Sequence, residues 1–81
     1  MPPVRVRYVQ WDRNIVYATK RATRAEIEEV FEGHVTMRTN LRGRVATHLA
    51  RGRTAAGRVV TVAFIYFAET GTAYPITAWE G

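Results

Sequence analysis

Val59-Val60-Thr61-Val62-Ala63-Phe64-Ile65-Tyr66-Phe67 is apolar or aromatic at every position but Thr61 and is rich in β-branched residues. That pattern predicts a strand covered on both faces, at the centre of a sheet. Just upstream, Thr54-Ala55-Ala56-Gly57-Arg58 has turn chemistry, so a strand ending near Thr54 should fold back on the central one as a hairpin. Val4, Val6 and Tyr8 alternate with Arg5, Arg7 and Val9, the period of a half-buried strand that ends near Trp11. Asp12 can cap a short helix over Arg13 to Lys20. Thr23-Arg24-Ala25-Glu26 has the spacing of a capping box, with Ile27, Val30 and Phe31 as an apolar stripe and Gly33 as the stop.

His34 to Arg38 again alternates, Asn40-Leu41-Arg42-Gly43 makes a turn, and Arg44 to Arg53 reads as a strand whose inward parity is Val45, Thr47 and Leu49. The same parity puts Arg51 and Arg53 on the core side unless Gly52 hosts a bulge. There each arginine either snorkels out at the sheet's end, pairs with a helix glutamate or lines a cleft. Glu69-Thr70-Gly71-Thr72 turns the chain into Ala73 to Trp79, where Pro75 lacks an amide donor and makes the strand an edge or frees one side of it. The order is β-α-α-β-β-β-β. It predicts an α+β fold, two N-terminal helices packed on one face of a mainly antiparallel sheet, as a single domain over residues 1–81. At 81 residues such a domain buries only about 60% of its unfolded surface, enough for one small core.

Charge sharpens this picture. The chain carries eleven arginines and one lysine, Lys20, against seven acids. Arginine's planar fork suits phosphate or carboxylate, although an arginine-rich codon usage would give the same bias. Distribution says more: between Gly33 and Ala68 stand six arginines (Arg38, Arg42, Arg44, Arg51, Arg53, Arg58) and no acid, while Glu26, Glu28, Glu29 and Glu32 crowd one helix. A basic sheet beside an acidic helix points to a polyanionic partner on the sheet side. With no cysteine, a reducing cytoplasm is the expected setting. No apolar run approaches a membrane span, and the two histidines match no common zinc spacing, so neither a membrane nor a metal or other cofactor is expected.

Several segments in series resemble the BrnT family of bacterial toxins. They are Trp11-Asp12 with Asn14-Ile15, Ala25-Glu26-Ile27-Glu28-Glu29-Val30-Phe31, Gly52-Arg53-Thr54 with Gly57-Arg58, and Pro75-Ile76-Thr77-Ala78-Trp79. The resemblance implies a RelE-like fold and a metal-independent endoribonuclease, the toxin of a type II toxin-antitoxin system that inhibits translation. It also implies a cognate antitoxin, often of the ribbon-helix-helix type, in a hetero-oligomer. Two segments depart from the family pattern: Lys20-Arg21 stands where a His-Gly pair is common, and Ile76-Thr77-Ala78-Trp79 where many members read Ile-Ser-Ala-Arg.

Metal-free RNA cleavage needs a base for the 2′-hydroxyl, an acid for the leaving oxygen and cations around the phosphorane. The candidate catalytic residues are His48, Lys20, Arg51 and Arg53, with His34, Glu32 and Tyr74 as other possible bases. On strict alternation His48 shares a face with Arg44 and opposes Arg51. Arg38, Arg42, Arg44 and Arg58 are candidates for RNA phosphates, and Tyr74 and Trp79 for stacking on unpaired bases. The alternative function is a non-catalytic module that binds nucleic acid or an antitoxin through the same arginines. Serine chemistry is excluded, since the chain has no serine.

Overall fold

The computed structural model describes residues 5–11, 22–33, 35–39 and 46–81. Five strands, β1 (Tyr8–Val9), β2 (Val35–Thr39), β3 (His48–Arg53), β4 (Val59–Phe67) and β5 (Thr72–Glu80), form one sheet in the order β1-β5-β4-β3-β2. One helix, α1 (Arg24–Glu32), packs on it. The expectation of two N-terminal helices on a mainly antiparallel, RelE-like sheet is corrected. Among the described residues there is a single nine-residue helix, and the sheet is mixed because β1 runs parallel to β5. The helix expected over Arg13 to Lys20 and the turn at Asn40 to Gly43 lie outside the described residues.

Local chemistry accounts for each element. Thr23 caps α1 reciprocally: its Oγ1 accepts from the Glu26 amide at 3.1 Å, and Glu26 Oε1 accepts from the Thr23 amide at 3.0 Å. Gly33 closes the last turn by donating to the Glu29 carbonyl. Between β3 and β4 the Gly57 amide donates to the Thr54 carbonyl at 2.9 Å and the Thr54 amide to the Arg58 carbonyl at 2.8 Å. Gly57 has a φ of 85°, the left-handed position that a three-residue hairpin loop requires.

The other tight turn holds β1 in place. The Gly71 carbonyl accepts from the amides of Arg7 and Tyr8, and the Tyr66 hydroxyl accepts from the Arg5 amide and donates to its carbonyl. β1 pairs with β5 over two residues, Tyr8 with Thr72 and Val9 with Ala73. It is therefore shorter than the alternation of Val4 to Val9 predicts. β5, expected as an edge or as a strand with one side freed, is the second strand of the sheet, and among the described residues it is paired on its outer side only ahead of Pro75. Ile76 is an extra residue in its register with β4, so a bulge and a proline together blunt the exposed stretch.

The core lies between α1 and one face of the sheet. Ile27 and Val30 meet Ala50, Val60, Val62, Phe64, Ala73 and Ala78, and Phe31 stands edge-on to Phe64 with ring centroids 5.1 Å apart. The inward parity of β3 is thus Ala50 and Gly52, the reverse of the Thr47 and Leu49 phase expected from hydrophobicity. Small residues let the helix sit close over β3, and the larger Leu49 is turned to the opposite face. No described helix is long and apolar enough to cross a membrane.

Candidate functional site

Because β3 is in that phase, its odd-numbered side chains point away from α1. The register builds cross-strand rows on this face: Thr36, Arg51, Thr61 and Trp79 in one, Arg38, Leu49, Ala63 and Thr77 in the next, Arg53 beside Val59, and Ile65 beside Tyr74. No described element lies over it. Three arginines, Trp79 (37% exposed) and Phe67 (52% exposed) therefore share one open surface, and the Tyr74 ring stands edge-on to Phe67 at 5.4 Å.

Arg38 and Arg51, from adjacent strands, line one depression of about 180 Å³ together with Thr36, Leu49 and Thr61. Both arginines are exposed, and neither guanidinium forms a hydrogen bond or ion pair with a described residue. Thr61 is only 8% exposed despite facing away from the helix, because it sits between Arg51 and Trp79 in its row. Arg53 is partly engaged: its Nη1 donates to the Gly57 carbonyl at 3.0 Å, bracing the hairpin loop.

Arg58 has a different role. It projects to the helix side, where Nη1 meets Glu26 Oε2 at 3.0 Å and Nε lies 3.6 Å from Glu80 Oε2. The Glu26 carboxyl is held below its ordinary value, first by the hydrogen bond from the Thr23 amide and then by the Arg58 charge, against some desolvation. Arg58 therefore ties hairpin, helix start and last strand together.

His48 also belongs to the helix side. Its ring lies 5.7 Å from Phe64 and 5.3 Å from Tyr66, and Nδ1 is 2.9 Å from Thr47 Oγ1. The sheet separates it from Arg51 and Arg53, as strict alternation implies. Lys20, His34, Arg42 and Arg44 lie outside the described residues. Of the sequence candidates, the fold brings together Arg38, Arg51, Arg53, Tyr74 and Trp79, and it sends His48 and Arg58 to the other side. Thr36, Leu49 and Thr61 line the depression as well, and sequence reasoning misses all three. Thr61 carries a signal, as the one aliphatic hydroxyl in a strand otherwise made of apolar and aromatic residues.

A second groove, about 310 Å³, runs between β1 and α1. Arg7 lines it opposite Glu28 and Glu32, so its charge is mixed and it offers a polyanion nothing comparable. Trp11 closes that side by donating Nε1 to Glu28 at 3.1 Å, under the Arg24 guanidinium 4.9 Å from its ring centroid. Compared with protein-family models, curated proteins and solved structures, the chain finds no match.

Proposed function

We propose that this protein is the RNA-directed member of a toxin-antitoxin pair, and that it holds a single strand of RNA across the open face of its sheet. The observation that carries the RNA reading is the gathering of Arg38, Arg51, Arg53, Tyr74 and Trp79 on one uncovered surface. Guanidinium groups neutralise the backbone, and aromatic rings offer unpaired bases a surface of their own size. The toxin assignment is supported by the resemblance to the BrnT family. Thr77 and Trp79, which replace that family's Ser and Arg, fall on the same face as Arg51 and Arg53.

Binding is the primary activity in this reading. His48 faces the helix, and Tyr74, the candidate base that shares the open face, stands two cross-strand rows from Arg51. Metal-independent cleavage is the second reading, favoured by Lys20 standing where the family has histidine.

Purified chain incubated with total RNA in EDTA tests both. The first reading expects salt-sensitive retention of intact RNA. With three arginines on phosphates, the log-log slope against salt should be about −2. The second expects fragments ending in 2′,3′-cyclic phosphate, abolished when hydrogen replaces the 2′-hydroxyl at the scissile position. The absence of both retention and cleavage overturns the proposal and leaves the basic face to a protein partner such as an acidic antitoxin.

A further inference from the structure

We infer that the depression between β2 and β3 is a phosphomonoester site, and that it takes the terminal phosphate of a nucleotide whose base lies on Trp79. The inference rests on the RNA reading and narrows it: the strand is gripped by a phosphorylated end rather than along its middle.

Charge count is the first argument. An internal phosphodiester carries one negative charge, whereas a terminal monoester carries close to two near neutrality. Arg38 and Arg51 are two guanidiniums converging on one depression of about 180 Å³, with no carboxylate in its lining and no described partner to neutralise either. Two full positive charges on one pocket match a dianion better than a single bridging phosphate, and charge-assisted bidentate bonds reward that match. The lining adds the Thr36 hydroxyl on an exposed residue at the rim, a further donor. Thr61 is already engaged, its hydroxyl donating to the Gly81 carbonyl at 2.5 Å.

Position supplies the second argument. Arg51 and Trp79 stand in the same cross-strand row with only Thr61 between them. Two strand spacings separate their backbones by about 10 Å, and the long side chains shorten that gap from both ends. One nucleotide bridges it, phosphate toward the arginines and base toward the indole. Thr61 is too short to obstruct that path. A bulkier residue there would stand between the two anchors.

The test uses the full chain and one short oligoribonucleotide prepared with a 5′-phosphate, with a 3′-phosphate, or with hydroxyls at both ends, titrated by fluorescence anisotropy at physiological salt. One phosphorylated form should bind at least about tenfold tighter than the hydroxyl form, and R38A or R51A should reduce that preference to about twofold or less. Trp79→Ala should weaken every form while leaving the preference intact. Thermal melting of each variant checks that the fold persists, and charge-keeping R51K, which lacks the fork, separates shape from charge by losing part of the preference. Adenosine monophosphate and inorganic phosphate serve as competitors. Displacement by the nucleotide identifies a free mononucleotide as sufficient, and its failure against a bound phosphorylated oligomer assigns the site to strand ends. Equal affinity for all three oligomers overturns the monoester site and leaves the RNA face standing. Binding of the mononucleotide with no binding of any oligomer keeps the site and overturns the RNA reading.

Discussion

The two faces of this sheet put the same residue type to opposite uses. On the helix side, Arg58 is satisfied by Glu26 and Glu80 and fastens three elements to one another. On the open side, Arg38 and Arg51 meet no described carboxylate and share a depression with two threonines and a leucine. Arginine content alone does not distinguish these cases; position along the strands does. Arg58, just ahead of β4, reaches acids on the helix and on β5, whereas Arg51, on an odd position of β3, meets no described carboxylate. The described arginines of this stretch are therefore of two kinds, one internal to the fold and one available to a partner.

The contrast is tested most strongly at the core. Phe64 is fully buried on the helix side, against Phe31, His48 and Tyr66. Truncation to alanine removes a large apolar side chain and leaves a cavity, which costs about 3–5 kcal/mol. A chain of this length has a total stability of about 4–12 kcal/mol, so F64A should be unfolded or close to it. Urea denaturation followed by circular dichroism measures this. A loss below about 1 kcal/mol would mean that the helix-covered face is not the core.

Next in size is the exchange between Arg51 and Arg58. Arg51→Ala should lower RNA affinity about tenfold and leave the melting temperature nearly unchanged, since an exposed, unpaired cation contributes little to folding. Arg58→Ala should do the reverse, lowering the melting temperature while RNA affinity stays within about twofold. Measuring both variants in both assays gives a crossed pattern. Equal losses of affinity would show that the two faces are not functionally distinct.

Much of this architecture is legible in the residues alone, and the failures have physical causes. Thr23 to Gly33 and the hairpin from Thr54 to Arg58 are readable because their signals are local: a capping box, a helical stripe, a glycine in the left-handed position. β4 is readable as the middle strand from its long run of apolar, β-branched and aromatic residues, but the cover expected on both faces is present, among the described residues, only on the helix side. Hydrophobicity gives β3 the wrong phase because Leu49 outweighs Ala50 and Gly52, whereas the helix needs small residues beneath it. That one-residue shift moves Arg51 and Arg53 from the core side to the open face, since strand side chains alternate. The parallel pairing of β1 with β5 is non-local, and no signal within either segment announces it. Thr54, Gly57 and Arg58, which carry part of the resemblance, build the hairpin and its clamp, so these residues report on folding rather than on chemistry.

The smallest predicted effect concerns the clamp's response to acid. Glu26 titrates below its ordinary value in the folded protein, with the Thr23 amide as the largest cause and Arg58 behind it. An unfolded glutamate titrates near about 4.3, so as the pH falls below that point the unfolded state takes up the proton first. The stabilisation is therefore complete above that value and is lost as the pH drops through the lower folded one. Glu26→Gln removes this titration, and its melting temperature should fall less steeply between about pH 5 and pH 3 than that of the parent chain. Arg58→Ala should lie between the two, because the cap hydrogen bond persists without the ion pair. If R58A instead matched E26Q across that range, the guanidinium rather than the helix cap would be what holds the carboxylate ionised, and the helix-side network would depend on Arg58 more than on α1 itself.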